Sequence, residues 1–138
     1  MLYAVIDTNV VVSALLKWNS VPRFRLEQSF TGNIIPVLHE KILYEYNEVL
    51  HRKKFKFPER AVQRVMNGFI NRGIFYKPAE INYDLPDLKD EIFLAVTVQA
   101  RQDKEAYLVT GNIKHFPKEK FILTPQEMMQ VLTSMRKS

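Results

Sequence analysis

Residues 2–9 read LYAVIDTN and place an acid, Asp7, directly after five hydrophobic residues. A short hydrophobic run with β-branched members and a polar end is typical of a buried strand that stops at a turn. In open α/β sheets, ligands collect outside the carboxyl ends of the parallel strands, so Asp7 is placed to meet one. The alternative is structural, because Asp7 or Asn9 would also make a good N-cap for a helix at residues 10–16. This stretch alone supports the two interpretations about equally.

Strands and helices alternate along the rest of the chain. Further hydrophobic runs predict strands at residues 34–38, 74–76, 106–110 and 121–123. Periodicity and capping signals predict helices at residues 22–30, 39–50, 58–72, 92–102 and 125–134. Pro36 argues for a strand end or an edge position in the second strand. The alternation predicts an α/β fold, with a parallel sheet and helices on both faces, in a single domain spanning residues 1–138.

Composition narrows the function classes. The chain has 138 residues, 46% of them hydrophobic and 25% charged, which is ordinary for a globular domain. It has no cysteine, which excludes disulfides and thiolate metal sites. The hydrophobic run at residues 10–16 is too short to span a bilayer, and we expect a cytoplasmic protein without a membrane partner. The net charge of +5 suits a polyanionic partner such as nucleic acid, although excess Lys and Arg also serves solubility.

A second acid, Glu45, falls beside the hydrophobic stripe of the helix predicted at residues 39–50. Glu40 and Glu48 project further round toward solvent, so Glu45 is the acid of this helix that is expected to face the sheet. A lone glutamate at such a position is more often a boundary carboxylate paired with a neighbouring lysine. The functional interpretation of Glu45 therefore depends on the other acids.

Acids also crowd the start of the next buried helix, where residues 84–96 read DLPDLKDEIFLAV. Asp90 lies one turn before Phe93 and on its side, which aims Asp90 inward more than Asp87 or Glu91. A structural explanation is strong here, because Asp87 as an N-cap and Asp90 in the first turn both suit the helix dipole. The two roles are compatible, with Asp87 capping the helix and Asp90 binding a ligand.

Polar residues follow the strand predicted at residues 106–110. The carboxyl ends of parallel strands meet at one edge of the sheet, so Thr110, Gly111 and Asn112 are expected close to Asp7. Gly111 permits a sharp turn there, and the Thr110 hydroxyl is placed to orient a carboxylate.

Two basic side chains, Lys114 and His115, follow near the same edge. No second histidine shares a metal-ligand spacing with His115. We therefore interpret His115 as loop packing or a substrate contact rather than as a metal ligand.

Basic residues and aromatic residues alternate at residues 51–57, which read HRKKFKF. Arg52, Lys53 and Lys54 in this run would contact phosphates, while the aromatic residues would stack on unpaired bases. The run would serve equally well as a solvated loop or as the docking site of an acidic partner. Direct contact with nucleic acid is one of these equally supported interpretations.

Four strings in this order resemble the PIN-domain family. They are IDTNVVVSALL at residues 6–16, EYNEVL at 45–50, KDEIFLAVTVQA at 89–100 and LVTGNIKHFP at 108–117. Each string is weak alone, and their order makes the resemblance specific over essentially the whole chain. The chain is most similar to the short prokaryotic PIN proteins that are VapC-like toxin components of type II toxin-antitoxin pairs.

The resemblance implies a three-layer α/β/α sandwich around a central parallel sheet of four or five strands. It also implies a metal-dependent endoribonuclease in which Asp7, Glu45 and Asp90 are catalytic and bind Mg²⁺ or Mn²⁺. Asn9 and Thr110 would arrange these acids. Carboxylates at close range repel one another unless a divalent cation or a proton compensates their charge, which agrees with a hard, oxygen-bound metal.

Many PIN nucleases carry a fourth acid at the position of Asn112. Asparagine still offers an oxygen but no charge, so the resemblance implies that a second metal would be bound less tightly here. Asp87 is the spare carboxylate that would compensate. Whether Asp87 or Asp90 is the principal ligand stays open.

The resemblance also implies partners. The substrate would be single-stranded or loop RNA, the protein partner a small antitoxin, and the oligomer a homodimer. Five basic residues are the candidate substrate contacts: Arg52, Lys53, Lys54, Lys114 and His115.

Two other function classes compete with the nuclease. A catalytically silent PIN-type module that binds RNA or protein is suggested by Asn112 in place of an acid. Phosphotransfer with Asp7 as the nucleophile is suggested by an acid after the first strand, but Asn9 stands where such a motif requires a second acid. The phosphotransferase is therefore the least supported of the three.

Overall fold

The structure, a computed structural model, describes residues 1–18 and 34–137. The strands are β1 (Leu2–Ile6), β2 (Ile34–Leu38), β3 (Ile74–Phe75), β4 (Ala106–Val109) and β5 (Ile122–Leu123). The α-helices of the described ranges are α1 (Thr8–Trp18), α2 (Glu40–Leu50), α3 (Glu59–Arg72), α4 (Glu91–Ala100) and α5 (Pro125–Lys137). Short 3-10 helices lie at Lys53–Phe55, Leu88–Asp90 and Ile113–His115. The helix predicted at residues 22–30 lies outside the described residues.

The five strands form one parallel sheet in the order β3-β2-β1-β4-β5. The chain moves outward from β1 through β2 to β3, and then returns to the other side of β1 with β4. The strand order therefore reverses between β1 and β4, and ligands of open α/β sheets bind at such a switch point. Ile6 pairs with Val109 across it, so the residues that follow these two strands emerge side by side.

These observations confirm the predicted α/β fold with its all-parallel sheet and flanking helices. The edge position expected from Pro36 is wrong, because β2 pairs with β1 on one side and with β3 on the other. Pro36 pairs with Ala4 of β1, whereas the ladder to β3 involves only Val37 and Leu38. The proline thus lies in an interior strand just before its second ladder begins.

Helix α4 is the hydrophobic centre of the molecule. It packs against β1, β2 and β4, and most of its residues are buried, as its largely apolar sequence predicts. None of the helices in the described ranges is long and apolar enough to cross a membrane.

Tyr46 joins helix α2 to the end of β1. Its side chain is fully buried, and its ring centroid lies 4.9 Å from that of Phe69 in α3. Its hydroxyl donates a hydrogen bond to the carbonyl oxygen of Ile6, the residue before Asp7. Because Tyr46 follows Glu45 directly, this anchor also fixes where Glu45 stands.

We expect Gly73→Ala to destabilise the fold by about 2 kcal/mol through overpacking. A Cβ at this position would lie 2.3 Å from Leu38 Cδ1 and 2.7 Å from the Phe69 carbonyl oxygen. Gly68→Ala is the matched control, since Gly68 lies inside helix α3, which ends just before Gly73, with nothing within 4 Å of its added Cβ. That change should stabilise by ~0.5 kcal/mol, because glycine weakens a helix interior. Urea denaturation measures both, and equal effects would contradict the packing described.

Candidate active site

A cavity of about 410 Å³ opens at the carboxyl edge of the sheet, and the four predicted acids line it. Its lining residues come from the end of β1, α1, α2, the segment after α2 and the segment that leads into α4: Asp7, Thr8, Asn9, Val12, Ser13, Glu45, Val49, Arg52, Phe55, Asp87, Lys89 and Asp90. Acids that are far apart in the sequence therefore share one cavity.

Asp7 is the most enclosed of these acids, with 5% of its surface exposed. Its Oδ1 accepts a hydrogen bond from the Thr8 backbone N–H at 2.8 Å. Its Oδ2 accepts from the Thr110 hydroxyl at 2.7 Å and from the Asn9 side-chain amide at 3.1 Å. Burial raises the pKa of Asp7, and these hydrogen bonds oppose that shift. The carboxylate is thus held in one orientation by donors from α1 and from the end of β4.

Glu45 is half-buried, whereas Glu40 and Glu48 of the same helix are exposed. The Thr8 hydroxyl donates a hydrogen bond to Glu45 Oε2. Burial raises the pKa of Glu45, the bond from Thr8 opposes that shift, and the charge of Asp7 adds to it. Glu45 therefore feels Asp7 electrostatically and is tied to it through Thr8.

Thr8 links the two acids, and sequence reasoning gave it no role. Its backbone N–H binds Asp7, and its hydroxyl binds Glu45. The signal was available in the sequence, because a hydroxyl residue directly follows the acid at the strand end. Its partner was not visible, because Glu45 comes from a helix that only the tertiary fold brings near.

Asp87 and Asp90 occupy different positions at the entry to α4. The Asp87 side chain accepts a hydrogen bond from the Lys89 backbone N–H at 3.0 Å and caps the short helix Leu88–Asp90. Asp90 Oδ2 is buried and has no hydrogen-bond partner among the described residues. His115 Nδ1 lies 3.6 Å from that oxygen.

The environment of Asp90 disfavours its charge. Burial, followed by the charges of Asp7 and Asp87, raises the pKa of Asp90 to about 6. A buried carboxylate oxygen without a donor is costly to ionise, and a cation would lower that cost.

The cavity has the carboxylate oxygens that a divalent cation prefers, but the distances between them do not form a complete ligand set. Within residues 1–18 and 34–137, no group of three or more Asp, Glu, His or Cys side chains is close enough to hold one ion. The tight cluster of carboxylates around one shared ion that the sequence analysis predicts is therefore not formed in these ranges. Mg²⁺ is commonly bound by only one or two carboxylates and keeps several waters. The Asp90 oxygen that lacks a hydrogen-bond partner among the described residues is suited to be one of these ligands.

The residues after β4 brace the site. The Gly111 backbone N–H donates to Asn9 Oδ1 at 2.9 Å, and a Cβ at Gly111 would lie 3.1 Å from that oxygen. The Asn112 backbone N–H donates to the Thr110 hydroxyl oxygen at 3.0 Å. Asn112 is not one of the described residues that line the cavity, so its predicted place as a metal ligand gains no geometric support.

Cations surround the acids unevenly. Arg52 lines the cavity, as does Lys89, which the sequence analysis did not single out. Lys53 and Lys54 are exposed in the adjoining short helix, and Lys114 is exposed in the short helix after β4. Of the predicted phosphate contacts, Arg52 therefore lines the cavity, whereas Lys53, Lys54 and Lys114 are exposed outside its lining.

Asp90→Asn is expected to stabilise the metal-free protein by about 1–2 kcal/mol at pH 7.5. A carboxyl whose pKa is raised on folding costs stability above that pKa, here about 6, and the cost fades as the pH falls toward the ordinary value of 3.8. The gain at pH 4.5 should be less than half of that at pH 7.5. Urea denaturation in EDTA at both pH values measures the difference.

The matched control is Asp87→Asn, because asparagine caps a helix as well as aspartate does. It removes one charge that acts on Asp90, so we expect a smaller gain. A loss of stability in Asp90→Asn at both pH values would show that the carboxylate is favourably paired, in conflict with its position here.

Comparison with known proteins identifies the family of the chain. A family model described as "PIN domain" matches residues 3–114, a range that includes all four acids of the cavity. No curated protein and no solved structure matches the chain significantly. Since the family model covers most of the sequence, the chain belongs to the PIN-domain family.

Proposed function

We propose that this PIN-domain protein is a metal-dependent endoribonuclease that hydrolyses RNA phosphodiester bonds. The observation that carries the proposal is the buried Asp90 oxygen, which lacks a donor in the described ranges and lies in the cavity that Asp7 and Glu45 also line. PIN domains are generally metal-dependent nucleases, which supports the same conclusion.

Asp7, Glu45 and Asp90 are the proposed residues for Mg²⁺ or Mn²⁺, with Asp87 as the spare carboxylate. Because the three are too far apart in the described ranges to bind one ion together directly, some would act through the waters that Mg²⁺ keeps. When bound, such an ion orients the phosphodiester, stabilises developing negative charge and lowers the pKa of a coordinated water. The pKa of each of the three acids is raised by burial, so each gains from a nearby positive charge. Metal binding and loss of the carboxyl protons are therefore coupled in this cavity.

The protein's own residues would position the acids and the RNA. Thr110 and Asn9 fix the Asp7 carboxylate, while Thr8 connects it to Glu45. Arg52 and Lys89 line the same cavity and would bind the phosphates on either side of the cleaved bond.

The basic residues outside the cavity would extend the phosphate contacts. Lys53 and Lys54 would do so from the short helix Lys53–Phe55, and Lys114 and His115 from the short helix Ile113–His115. The net charge of +5 supports a polyanionic substrate.

The biological setting belongs to the proposal as well. The similarity of the four strings to short prokaryotic PIN proteins supports a toxin component of a type II toxin-antitoxin pair. In that setting the protein would be a cytoplasmic homodimer that a small antitoxin protein inhibits.

Asp7→Asn should abolish Mg²⁺- or Mn²⁺-dependent RNA cleavage, with a loss of ~100-fold or more, because it removes a negative ligand while preserving the side-chain shape. Glu40→Gln is the matched control, since it removes an equal charge from an exposed position that does not line the cavity. Initial cleavage rates on a labelled single-stranded RNA, with and without EDTA, measure both.

A folded wild type that cleaves no RNA with either metal would overturn the proposed nuclease function.

The second candidate function is a catalytically silent PIN-type binding module. It is favoured by Asn112 at the position of an acid and by the distance between the carboxylates in the described residues. It predicts RNA or protein binding that survives Asp7→Asn unchanged.

A further inference from the structure

An aromatic ring stands among the acids of the candidate active site. Phe55 lines the cavity together with Asp7, Glu45 and Asp90. Phe55 is the last residue of the short helix Lys53–Phe55. The Phe55 backbone N–H donates a hydrogen bond to the Arg52 carbonyl oxygen at 3.1 Å, which stabilises this turn. A phenylalanine can contribute neither a metal ligand nor a proton, so the proposed chemistry leaves its presence unexplained.

The ring of Phe55 is supported from behind by a second ring. The Phe55 and Phe57 rings are stacked, with centroids 5.4 Å apart and planes 12° from parallel. Among the described residues, Phe57 packs against the hydrophobic core, whereas Phe55 is not part of that contact set. The stack therefore extends from the core outward and ends with Phe55 at the cavity.

The backbone between the two rings adopts a costly conformation. Lys56 has φ 55°, in the left-handed region that residues other than glycine, asparagine and aspartate rarely enter. Lys56 is the C-cap of the short helix Lys53–Phe55 and separates the two phenylalanines whose rings stack. Such conformations persist where the surrounding structure enforces them, and they are concentrated at functional sites.

Positive charge surrounds the outer ring. Lys54 Nζ lies over the Phe55 ring, 5.1 Å from its centroid, and Arg52 and Lys89 line the same cavity. A base that stacks on the ring would displace this exposed lysine side chain, which would then be free to bind a phosphate. Aromatic rings next to a basic groove are how proteins bind unpaired nucleotides, because bases stack on the ring while the cations bind the backbone. A base inside a duplex has both faces covered and offers no face to such a ring.

We propose that Phe55 forms a nucleobase subsite, on which one unpaired base stacks next to the phosphate that the acids act on. The position of this base relative to the cleaved bond rests on the proposed nuclease function, whereas the stacking itself does not. The subsite makes one unpaired base near the scissile bond a requirement of the substrate. It accepts any base, because every base offers a flat face to the ring.

The test compares Phe55→Leu, Phe55→Trp and Tyr44→Leu in the full-length protein, after circular dichroism has shown that each variant is folded. Leucine keeps a hydrophobic side chain but removes the flat ring, and tryptophan restores it. Tyr44→Leu controls for loss of an exposed aromatic ring from the adjoining helix, since Tyr44 is 72% exposed and does not line the cavity.

The probes are single-stranded RNA oligonucleotides of one sequence in which an abasic nucleotide occupies each position in turn. We expect one abasic position near the cut to raise the KM of the wild type ~10-fold, an amount typical of one stacked base, with little change in kcat. Phe55→Leu should raise the KM of the unmodified RNA by a similar factor and lose sensitivity to that abasic position. Phe55→Trp should restore both properties, and Tyr44→Leu should match the wild type.

A binding measurement separates this proposal from the nuclease itself. With EDTA present to prevent cleavage, the fluorescence of 2-aminopurine placed at the sensitive position should be quenched by the wild type and not by Phe55→Leu. If the wild type never cleaves RNA, scanning 2-aminopurine along the oligonucleotide still locates a Phe55-dependent stacked base.

Equal RNA binding and equal abasic profiles for the wild type and Phe55→Leu would overturn the subsite while leaving the nuclease standing. The same result would follow if the segment docks an acidic protein instead of RNA. Failure of cleavage together with Phe55-dependent quenching would overturn the nuclease and support the subsite.

Discussion

Partial burial of carboxylates beside one another is the constraint on which the rest of the site depends. Each charge is costly in such surroundings, so the fold must supply either donors or a cation. Asp7 receives donors from Thr8, Asn9 and Thr110, while Asp90 keeps a buried oxygen for which the described residues provide none. The protein thus stabilises the Asp7 carboxylate with its own donors, whereas the Asp90 oxygen has only the His115 ring nitrogen at 3.6 Å and would gain from the proposed cation. This division explains why three acids with raised pKa values coexist in one cavity without forming a closed protein cage.

The hydrophobic core determines where these charges stand. Tyr46 is buried between α2, α3 and β1, and its hydroxyl binds the carbonyl oxygen of Ile6. The residues on the two sides of that contact, Glu45 and Asp7, are therefore placed by packing rather than by attraction, since their charges repel. A core contact that is favourable by itself offsets the cost of bringing like charges together. The reversal of strand order beside β1 then opens space for a ligand at the point where the charges meet.

Sequence alone was informative where a residue's neighbours along the chain decide its environment. The buried parallel strands and the inward face of Glu45 follow from local pattern, and the structure contains both. The capping role of Asp87 is only partly right, because Asp87 caps the short helix Leu88–Asp90 in front of α4 and not α4 itself. The sequence did not predict contacts between residues that are distant along the chain and are brought together only by the tertiary fold. It missed the bond from Thr8 to Glu45 and the cavity position of Lys89, and it predicted a closer set of carboxylates than the described residues form. Pro36 misled for a related reason, because strand order is a tertiary property.

In the proposed nuclease, different parts of the fold would carry the chemistry and the substrate selection. The acids lie at or next to the ends of packed strands and helices, where rigid surroundings hold the carboxylates in position. The ring of Phe55 instead lies on a short segment after α2 that is connected to the core through Phe57. Changes in that segment would alter the proposed stacking surface without moving Asp7, whose donors come from α1 and from the end of β4. If the proposed function holds, the same acids at the sheet edge would serve different RNA substrates through a few residues outside the sheet.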